Sequence, residues 1–510
     1  MPKPRIRLLP TTLAVAVAGC ATSAIEMAPE RPDRPWTPSV RSDGEILPEA
    51  APVSAPSVDN YALPVNSRLA VQPTPSALDS KHAYSLPELI DIAESNNQLT
   101  RTAWNNARRA ALAAGIAEST YLPKLTANVI AGYQTSHDDS EVLGVDTTDD
   151  TTVQGVISAV SAQWLLFDFG ERKAVVGAAK QTAVIANIAF TAAHQQLIHD
   201  VSLAFYANTA ARARVGSSQQ SLANAQAVQA AAENRYTQGV GTTVEVAQAR
   251  QATAQAELLR VRADGAAQDA YLALLTAMGI SPLTQIEIAD IPQRVLPKDL
   301  DDSVERIVTD ALGRRPDVLG AHAAQLASEE QVRAAHAEFM PKFFLAATGS
   351  YNSDRLEIAA IPSIGEHLPT FNVSGSRYGA ILFAGFTVPL YDGGRRAAVL
   401  KQAQADADSA NGALARTRDE AVRQVVLAAN TLRTSLAAYH ASGTLVDAAN
   451  TTFDAALQAY RSGVGSVTDA TIAETQLLQA KNSRTDAYSA ARAAAATFAL
   501  AAGRLGSAPQ

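Results

Sequence analysis

Residues 386–396 read F-T-V-P-L-Y-D-G-G-R-R, where an alternating, strand-like segment passes into a very long proline-free run. A weaker copy, W-L-L-F-D-F-G-E-R, lies at residues 164–172 and again ends a strand pattern before a long proline-free run. The two glycines of the first copy suit a tight strand-to-helix turn, because glycine adopts backbone conformations that other residues avoid. The sequence therefore predicts a strand that leads into a long helix, twice in one chain.

Three landmarks of the chain occur twice, in the same order and at nearly the same spacing. Besides the D-x-G turn, Y-L-P-K-L at 121–125 matches F-M-P-K-F at 339–343. Likewise, Y-T-Q-G-V-G at 236–241 matches Y-R-S-G-V-G at 460–465. Two generic alanine-rich coiled coils would not explain these matches, which indicate an internal two-fold sequence repeat.

Each half is predicted to contain a lead-in helix, two strands, a very long helix and a shorter return helix. The predicted elements are helix 85–120, strand 121–133, an acidic loop, strand 153–167, helix 171–238, a return helix to 278, loop 279–297, helix 302–338, strand 339–351, a loop to 374, strand 378–390, helix 395–462 and a return helix to 503. A helix of about 68 residues would be roughly 100 Å long. A return helix stacked on a lead-in helix would span about that length. Gly216-Ser217-Ser218 and Ser442-Gly443 are expected to loosen the long helices.

The composition favours closely packed helices over one large core. The chain is 47% hydrophobic but only 5% aromatic, and alanine supplies much of the apolar content. A net charge of −8 argues against a nucleic-acid partner. Beyond the N-terminus, no apolar run approaches the roughly 20 residues that a membrane-spanning helix requires. A membrane crossing would therefore have to use strands.

The predicted strands are long enough to cross a bilayer when tilted, since about 10 residues suffice. Four strands cannot close a barrel, and open strand edges cannot face lipid. The chain is therefore expected to oligomerise, so that strands of several copies form one barrel. Three copies would contribute twelve strands. A soluble four-stranded sheet with helical arms is the alternative.

The N-terminus is predicted to be a targeting signal, with a basic start and a short apolar segment that ends in small residues. V-A-G-C at 17–20 resembles the lipobox of bacterial lipoproteins, in which the cysteine is lipidated and becomes the first residue. A secretion signal with a chance cysteine is the alternative. Cys20 is the only cysteine, which excludes an intrachain disulfide. Prolines predict an extended tether up to residue 83. Ala21 lacks the aspartate of inner-membrane retention, so the outer membrane is favoured.

These landmarks resemble the outer-membrane efflux proteins, the TolC-like outer membrane factors, over residues 84–505. The resemblance rests on V-P-L-Y-D-G-G-R-R at 388–396, R-R-P-D-V at 314–318 with the M-P-K that follows, and Y-R-S-G-V-G-S at 460–466. It implies a mainly α fold with a transmembrane β part, assembled as a homotrimer. A long α-helical barrel in the periplasm would continue into a 12-stranded β-barrel, four strands per chain.

The resemblance also implies a passive outer-membrane conduit that exports small molecules or drugs. Such a channel docks on a periplasmic adaptor protein and an inner-membrane pump, and the lipobox is similar to that of the drug-efflux branch. The outer-membrane component of type I protein secretion is one alternative, and a periplasmic coiled-coil adaptor lipoprotein is another. The alternating strand 378–390 favours a channel, because an adaptor needs no lipid-facing strand.

The predicted domains follow from the targeting signal and the repeat. They are a signal peptide at 1–19, a lipidated tether at 20–83, a first repeat at 84–298, a second repeat at 299–505 and a tail at 506–510. No G-x-S-x-G motif or P-loop occurs, and the eight histidines lack metal-binding spacing such as H-x-x-x-H. His137 lies beside Asp138 and Asp139. This segment is expected to be an exposed acidic loop, and a cation site is the alternative. We therefore expect no enzyme, and no cofactor besides the lipid on Cys20.

By resemblance, the helix turns form the periplasmic mouth, and Asp469 falls where the family has a constricting ring of aspartates. Three carboxylates around one axis would raise one another's pKa and favour cations. A solvated first-turn aspartate that complements the helix dipole is the alternative. Tyr460 matches a tyrosine that links neighbouring helix pairs and keeps the mouth shut, and its partner position is Glu245. Gly465 replaces a linking arginine and Ile472 a second aspartate, so fewer contacts are expected to hold the mouth closed.

The two Gly-Val-Gly turns are the candidates for adaptor contact. They consist of Gly239, Val240, Gly241, Gly463, Val464 and Gly465. Ordinary helix-hairpin turn chemistry is the alternative explanation for these glycines.

Overall fold

The computed structural model describes residues 27–28, 32, 36, 38–48, 62–71, 78–142, 145–290, 296–297, 303–353, 358–361, 371–373 and 378–506. The predicted signal peptide, the lipidation site Cys20 and residues 507–510 of the predicted tail lie outside the described residues. The chain divides into two units, Met1–Ala77 and Leu78–Gln510. In the first unit, Val40 and Ile46 form an antiparallel bridge around a turn.

The second unit combines long helices with one four-stranded sheet. Its described elements are β1 (Ala83–Tyr84), α1 (Leu86–Asn96), α2 (Gln98–Ser119), β2 (Lys124–Val142), β3 (Val145–Phe167), α3 (Glu171–Thr237), α4 (Thr243–Met278), β4 (Glu287–Ile288), α5 (Val304–Arg314), α6 (Pro316–Ala337), β5 (Lys342–Asn352), β6 (Ile358–Ile361), β7 (Phe371–Val373), β8 (Tyr378–Thr387), α7 (Arg395–Arg461) and α8 (Val467–Ala501). The main sheet has the order β2-β3-β5-β8, and every neighbouring pair is antiparallel. The predicted sequence of strands and helices is therefore confirmed in outline.

The first hairpin of the sheet is longer than predicted. Strands β2 and β3 pair from Lys124 and Gln163 to Val142 and Val145, so the predicted acidic loop between them is wrong. Main-chain hydrogen bonds build the ladder, and the threonines among these acidic residues favour strands. Strand β8 ends before residue 390, because the proline that follows cannot donate to a ladder. The predicted loop up to 374 contains the paired strands β6 and β7.

Both strand-to-helix turns are built on an aspartate and an arginine four residues later. The N–H groups of Gly170 and Arg172 donate to Asp168, and Arg172 Nε donates to Asp168 Oδ2 at 2.7 Å. The turn Asp392–Arg396 repeats this arrangement, with the arginine 2.9 Å from the aspartate. Gly170 has φ 97° and its counterpart in the second turn has φ 87°, a conformation that glycine adopts without strain. The aspartate of each D-x-G motif thus caps the long helix that it precedes.

The long helices confirm the lengths expected from the sequence. Helices α3 and α7 each have 67 residues, and the return helices α4 and α8 have 36 and 35. Neither long helix is interrupted at Gly216 or Gly443, where loosening was expected. Near its middle, α3 packs against α1 and the end of α4 in an apolar cluster around Val201 and Phe205. A lead-in and a return helix therefore meet at the midpoint of the long one.

Both lead-in helices, predicted to be continuous, are broken in two. Asn97 interrupts the first with an extended backbone, and its side chain accepts a hydrogen bond from Leu99 N, which caps α2. Its amide also donates to the carbonyl of Ala277 at the end of α4. Arg315 interrupts the second, because the proline after it disfavours the helical conformation. Each break therefore lies beside the end of a return helix, at Ala277 of α4 and at Ala501 of α8.

Arg315 is buried at the second break, with 7% of its surface exposed. Its guanidinium donates to both carboxylate oxygens of Asp317, at 3.0 and 2.6 Å. It also donates to the carbonyl of Ala501 at the end of α8 and to Gln424 of α7. The R-P-D motif therefore ties three helices together through one side chain.

Helix α3 contains an apolar stretch long enough to cross a membrane, although no such stretch was expected beyond the N-terminus. An 18-residue window within Glu171–Thr237 has a mean hydropathy of 1.2 and meets the length and composition limits for a membrane span. Such a window is weak evidence, because core helices pass the same test. This helix packs along its length against α2, α4, α6 and α8.

Candidate functional site

The sheet has one apolar and one more polar face. The register places these side chains on the apolar face: Leu125, Val129, Val160, Trp164, Leu345, Tyr351, Tyr378, Leu382 and Phe386. The opposite face carries most of the polar side chains, namely Thr126, Asn128, Ser161, Gln163, Thr348, Ser350 and Asn352, but also the apolar side chains of Ile130, Ile157, Phe344, Ile381 and Phe383. Leu125, Val129 and Leu382 are 71%, 73% and 69% exposed. Alternation of this kind is typical of a strand with lipid on one side and a polar interior on the other.

The two edges of this sheet, β2 and β8, have no partner strand within the described part of the chain. An open edge presents a row of unpaired N–H and C=O groups. No such group can be left without a partner in the hydrocarbon of a membrane. In a membrane, both edges would therefore need partner strands from outside this sheet.

At the opposite ends of the long helices, two turns have the same backbone structure. Val240 N and Gly241 N both donate to the carbonyl of Arg235, and the 463–465 turn repeats the pattern on Ala459. Gly239 and its counterpart have φ 76° and 81°. A Cβ on Gly241 would lie 2.8 Å from a backbone nitrogen. Turn geometry thus accounts for the glycines, as the alternative explanation proposed.

Turn geometry does not account for the two central valines. Val240 is 64% exposed and Val464 is 84% exposed, although both are apolar. The backbone N–H of each valine is hydrogen-bonded within its turn. The two turns therefore offer a pair of matched apolar contacts at one end of the helices.

The structure places Tyr460 and Glu245 near each other, between the two helical hairpins. Tyr460 is fully buried at the end of α7 and packs against Val246 of α4. Burial raises the pKa of the Tyr460 hydroxyl, and the negative charge of Glu245 raises it further. Glu245 also caps α4 through its contacts with Thr242. The gate-link role of this pair stays a prediction.

Arg235 is a third member of this group, which the sequence analysis missed. Its guanidinium carbon lies 5.2 Å from the centre of the Tyr460 ring. It also donates to the carbonyl oxygens of Tyr460 and Val240, at 3.3 and 3.4 Å. One arginine of α3 therefore joins its own turn to the second hairpin. Arg235 directly precedes the first of the two matched turns, Y-T-Q-G. This position beside a repeated turn is the sequence signal that could have identified it.

Asp469 is exposed in the first turn of α8, where it exchanges hydrogen bonds with Ser466. The serine hydroxyl donates to its carboxylate at 2.8 Å and accepts from its backbone N–H at 3.1 Å. This is the helix-capping arrangement given above as the alternative, and it leaves the carboxylate in solvent. A constricting ring formed by Asp469 stays a prediction. Ile472, one turn further, is 51% exposed.

A buried carboxylate lies in the same helix and was also missed. Glu474 is 8% exposed and accepts a hydrogen bond from the hydroxyl of Ser221 of α3. Burial raises the pKa of Glu474, against the opposing effects of this hydrogen bond and of Lys481. A single glutamate in an alanine-rich helix gave no signal, because its partner is distant in sequence. In the described part of the chain, no cluster of three or more His, Cys, Asp or Glu side chains is arranged to hold a metal ion.

Comparison with known proteins agrees with this architecture. The family model described as outer membrane efflux protein matches residues 89–280 and 307–504. Protein CyaE of Bordetella pertussis is 26% identical over 452 residues, which are 88% of this chain and 90% of that protein. Outer membrane protein OprJ of Pseudomonas aeruginosa is 28% identical over 422 residues, 80% of this chain and 84% of that protein.

Among solved structures, the outer membrane protein VceC from Vibrio cholerae matches with a TM-score of 0.68 at 22% sequence identity. The match covers 82% of this chain and 96% of that one. At this similarity the two chains share a fold. The mainly α architecture with a strand region, predicted from the sequence, is therefore confirmed.

Proposed function

This chain belongs to the outer membrane efflux protein family, and we propose that three copies form the outer-membrane channel of a tripartite efflux system. The family is one of outer-membrane transport proteins. In the proposed assembly, the four-stranded sheets of three copies close one 12-stranded barrel, and the long helices form a tunnel in the periplasm. The pump supplies the energy, so the channel itself is a passive conduit. A periplasmic adaptor joins the two.

The observation that carries this proposal is the sheet with one apolar face and two open edges. An adaptor lipoprotein would have no use for exposed leucines and valines on a strand surface. Pairing β2 of one copy with β8 of the next satisfies both edges at once and generates a closed ring. The polar face then lines the channel, and the apolar face contacts lipid.

The test is single-channel recording in a planar bilayer with the purified full-length protein, after its mass in detergent has been measured. We expect a trimer and discrete conductance steps. A monomer without conductance, in a preparation with the expected helix content, would contradict the channel and favour the adaptor alternative. Transport of dyes in cells, compared with secretion of a protein substrate, separates small-molecule efflux from type I secretion.

We also propose that the turns with Val240 and Val464 contact the periplasmic adaptor. Both valines are exposed and apolar, and burying an apolar side chain of this kind stabilises a complex by about 1.5–3 kcal/mol. Replacing both with aspartate is expected to weaken adaptor binding at least tenfold, while the trimer stays intact. Replacing both with threonine, which keeps their shape, serves as the control. Equal adaptor affinity in all three proteins, measured by titration, would place the contact elsewhere.

The lipid on Cys20 and the signal peptide before it stay predictions. They are supported by the V-A-G-C sequence and by the outer-membrane family to which the chain belongs. Mass spectrometry of the mature protein tests both, because cleavage and acylation change the mass of the N-terminal peptide.

A further inference from the structure

A small cavity lies between α3, α7 and α8, away from the turns and from the sheet. Its volume is about 120 Å³, and its walls include Tyr206 of α3, Tyr439 of α7 and three residues of α8, namely Arg484, Tyr488 and Arg492. These five residues are called the tyrosine–arginine pocket below. The three α8 residues are spaced four apart, so they lie on one face of the helix.

The aromatic rings of the pocket hold the two guanidinium groups in place. Arg484 stacks on Tyr439, with its guanidinium carbon 5.7 Å from the ring centre. Arg492 lies 5.8 Å from the ring centre of Tyr206 and 5.6 Å from that of Tyr488. Such stacking fixes the orientation of a guanidinium but leaves its N–H donors at the edge unused.

The charge of the pocket is unbalanced. Its ten lining residues include two arginines and no acidic residue. The nearest aspartate in the α8 sequence, Asp486, is paired with Arg214 instead. Arg492 Nε and the Tyr488 hydroxyl are buried and have no hydrogen-bond partner among the described residues. A buried donor without a partner destabilises the folded protein by about 1–3 kcal/mol. A ligand that accepts hydrogen bonds from these two donors would remove that cost.

Gly443 of α7 makes room for one of the arginines. A Cβ at this position would lie 3.0 Å from Arg484 Nη1. Helix α7 continues unbroken through Gly443, although glycine costs roughly 1 kcal/mol relative to alanine inside a helix. The sequence predicted that Gly443 loosens the helix. In the structure, Gly443 instead allows the Arg484 guanidinium to lie close to the α7 backbone.

We propose that the tyrosine–arginine pocket binds a small oxyanion, a carboxylate or phosphate group, between Arg484 and Arg492. A guanidinium group can donate two parallel hydrogen bonds to two oxygens of one carboxylate or phosphate group. The Tyr488 hydroxyl and Arg492 Nε supply further donors. The cavity is far smaller than the 300–1,000 Å³ of typical drug-sized sites, so the ligand is a small ion or one group of a larger molecule. All of these donors belong to α8, whereas α7 and α3 contribute the rings of Tyr439 and Tyr206 that stack on the two arginines.

The experiment is equilibrium dialysis of the full-length protein against labelled inorganic phosphate and, separately, labelled acetate, at constant ionic strength. We expect saturable binding of at least one anion, one site per chain. Arg484→Gln and Arg492→Gln should each raise its Kd at least tenfold. Arg250→Gln, at an exposed arginine paired with Glu233, should bind as the wild type does. Preference for phosphate or acetate identifies the chemistry of the natural ligand.

Tyr488→Phe removes one hydroxyl and keeps the ring, so it tests the site even if the arginine variants do not fold. It should weaken binding several-fold. Three results would overturn the proposal: no saturable binding of either anion to the wild type, binding that the folded pocket variants retain in full, or unchanged affinity in Tyr488→Phe.

Discussion

Replacing Arg315 with methionine is expected to lower the free energy of unfolding by about 1–3 kcal/mol, the usual cost of leaving buried hydrogen-bonding groups without a partner. The cost stays below that of a fully buried ion pair, because the side chain of Asp317 is 44% exposed. The side chain of methionine fills much of the same space but offers no donor. The Ala501 carbonyl and the Gln424 side chain then lose a partner at the junction of α6, α7 and α8. Thermal denaturation followed by circular dichroism measures the loss.

Arg314 provides the matched control, because it is the neighbouring arginine of the same motif and is exposed. Arg314→Met is expected to change the free energy of unfolding by no more than about 0.5 kcal/mol, as is usual for surface positions. Equal effects of the two substitutions would mean that the Arg315 contacts contribute little to stability.

The effect of the Arg315 variant should also depend on pH. Burial alone would raise the pKa of Asp317, but the hydrogen bonds and charge of Arg315 outweigh it and lower that pKa below 3.8. A depressed pKa stabilises the folded protein above the unfolded-state pKa, and this contribution is lost as the pH falls through the folded-state value. The difference between wild type and Arg315→Met should therefore be full at pH 7 and shrink below about pH 4.

The double variant Glu245→Gln, Tyr460→Phe is expected to conduct several-fold more current than the wild type in a planar bilayer. Glu245 and Tyr460 belong to different hairpins, and Tyr460 is fully buried between them. Both substitutions keep the shape of the side chain and remove only a charge and a hydroxyl. The hairpins should then separate more easily at the turns, while the packing above stays intact.

Glu233→Gln is the control for this experiment. Glu233 pairs with Arg250 at the same end of the helices, but within one hairpin, between α3 and α4. Removing the charge of Glu233 should leave the conductance at the wild-type level. If the double variant also conducts as the wild type does, the Tyr460–Glu245 pair does not hold the mouth closed. A rise in both variants would indicate a general loss of charge at the mouth instead.

Features encoded locally were predictable from the sequence. The glycine turns, the proline-free runs and the alternation of β8 each depend on neighbouring residues, and they gave the long helices, the turns and the sheet. The break at Arg315 was not predicted, although a proline follows it, because one continuous helix over 302–338 also fits the length of that segment. The break at Asn97 depends on a contact with Ala277, which lies far away in the sequence.

In the candidate site, too, residues that depend on contacts distant in sequence were not predicted. Resemblance identified Tyr460 and Glu245, which lie near each other, and their role at the mouth stays a prediction. Arg235 and the Ser221–Glu474 pair were missed, since each contact joins α3 to the second half of the chain. In the first hairpin, the acidic residues by themselves indicate a loop, whereas the threonines beside them favour the strands that the structure shows. Single side chains in alanine-rich helices carry no pattern that points to a distant partner.

The open edges of the sheet have a genetic consequence. If three copies share one barrel, a variant that folds and assembles but cannot conduct will block every trimer that it enters. With equal amounts of both chains, only about one trimer in eight would contain three functional copies. A closed-mouth variant should therefore be dominant over the wild type in the same cell, whereas a variant whose edge strands cannot pair should be recessive.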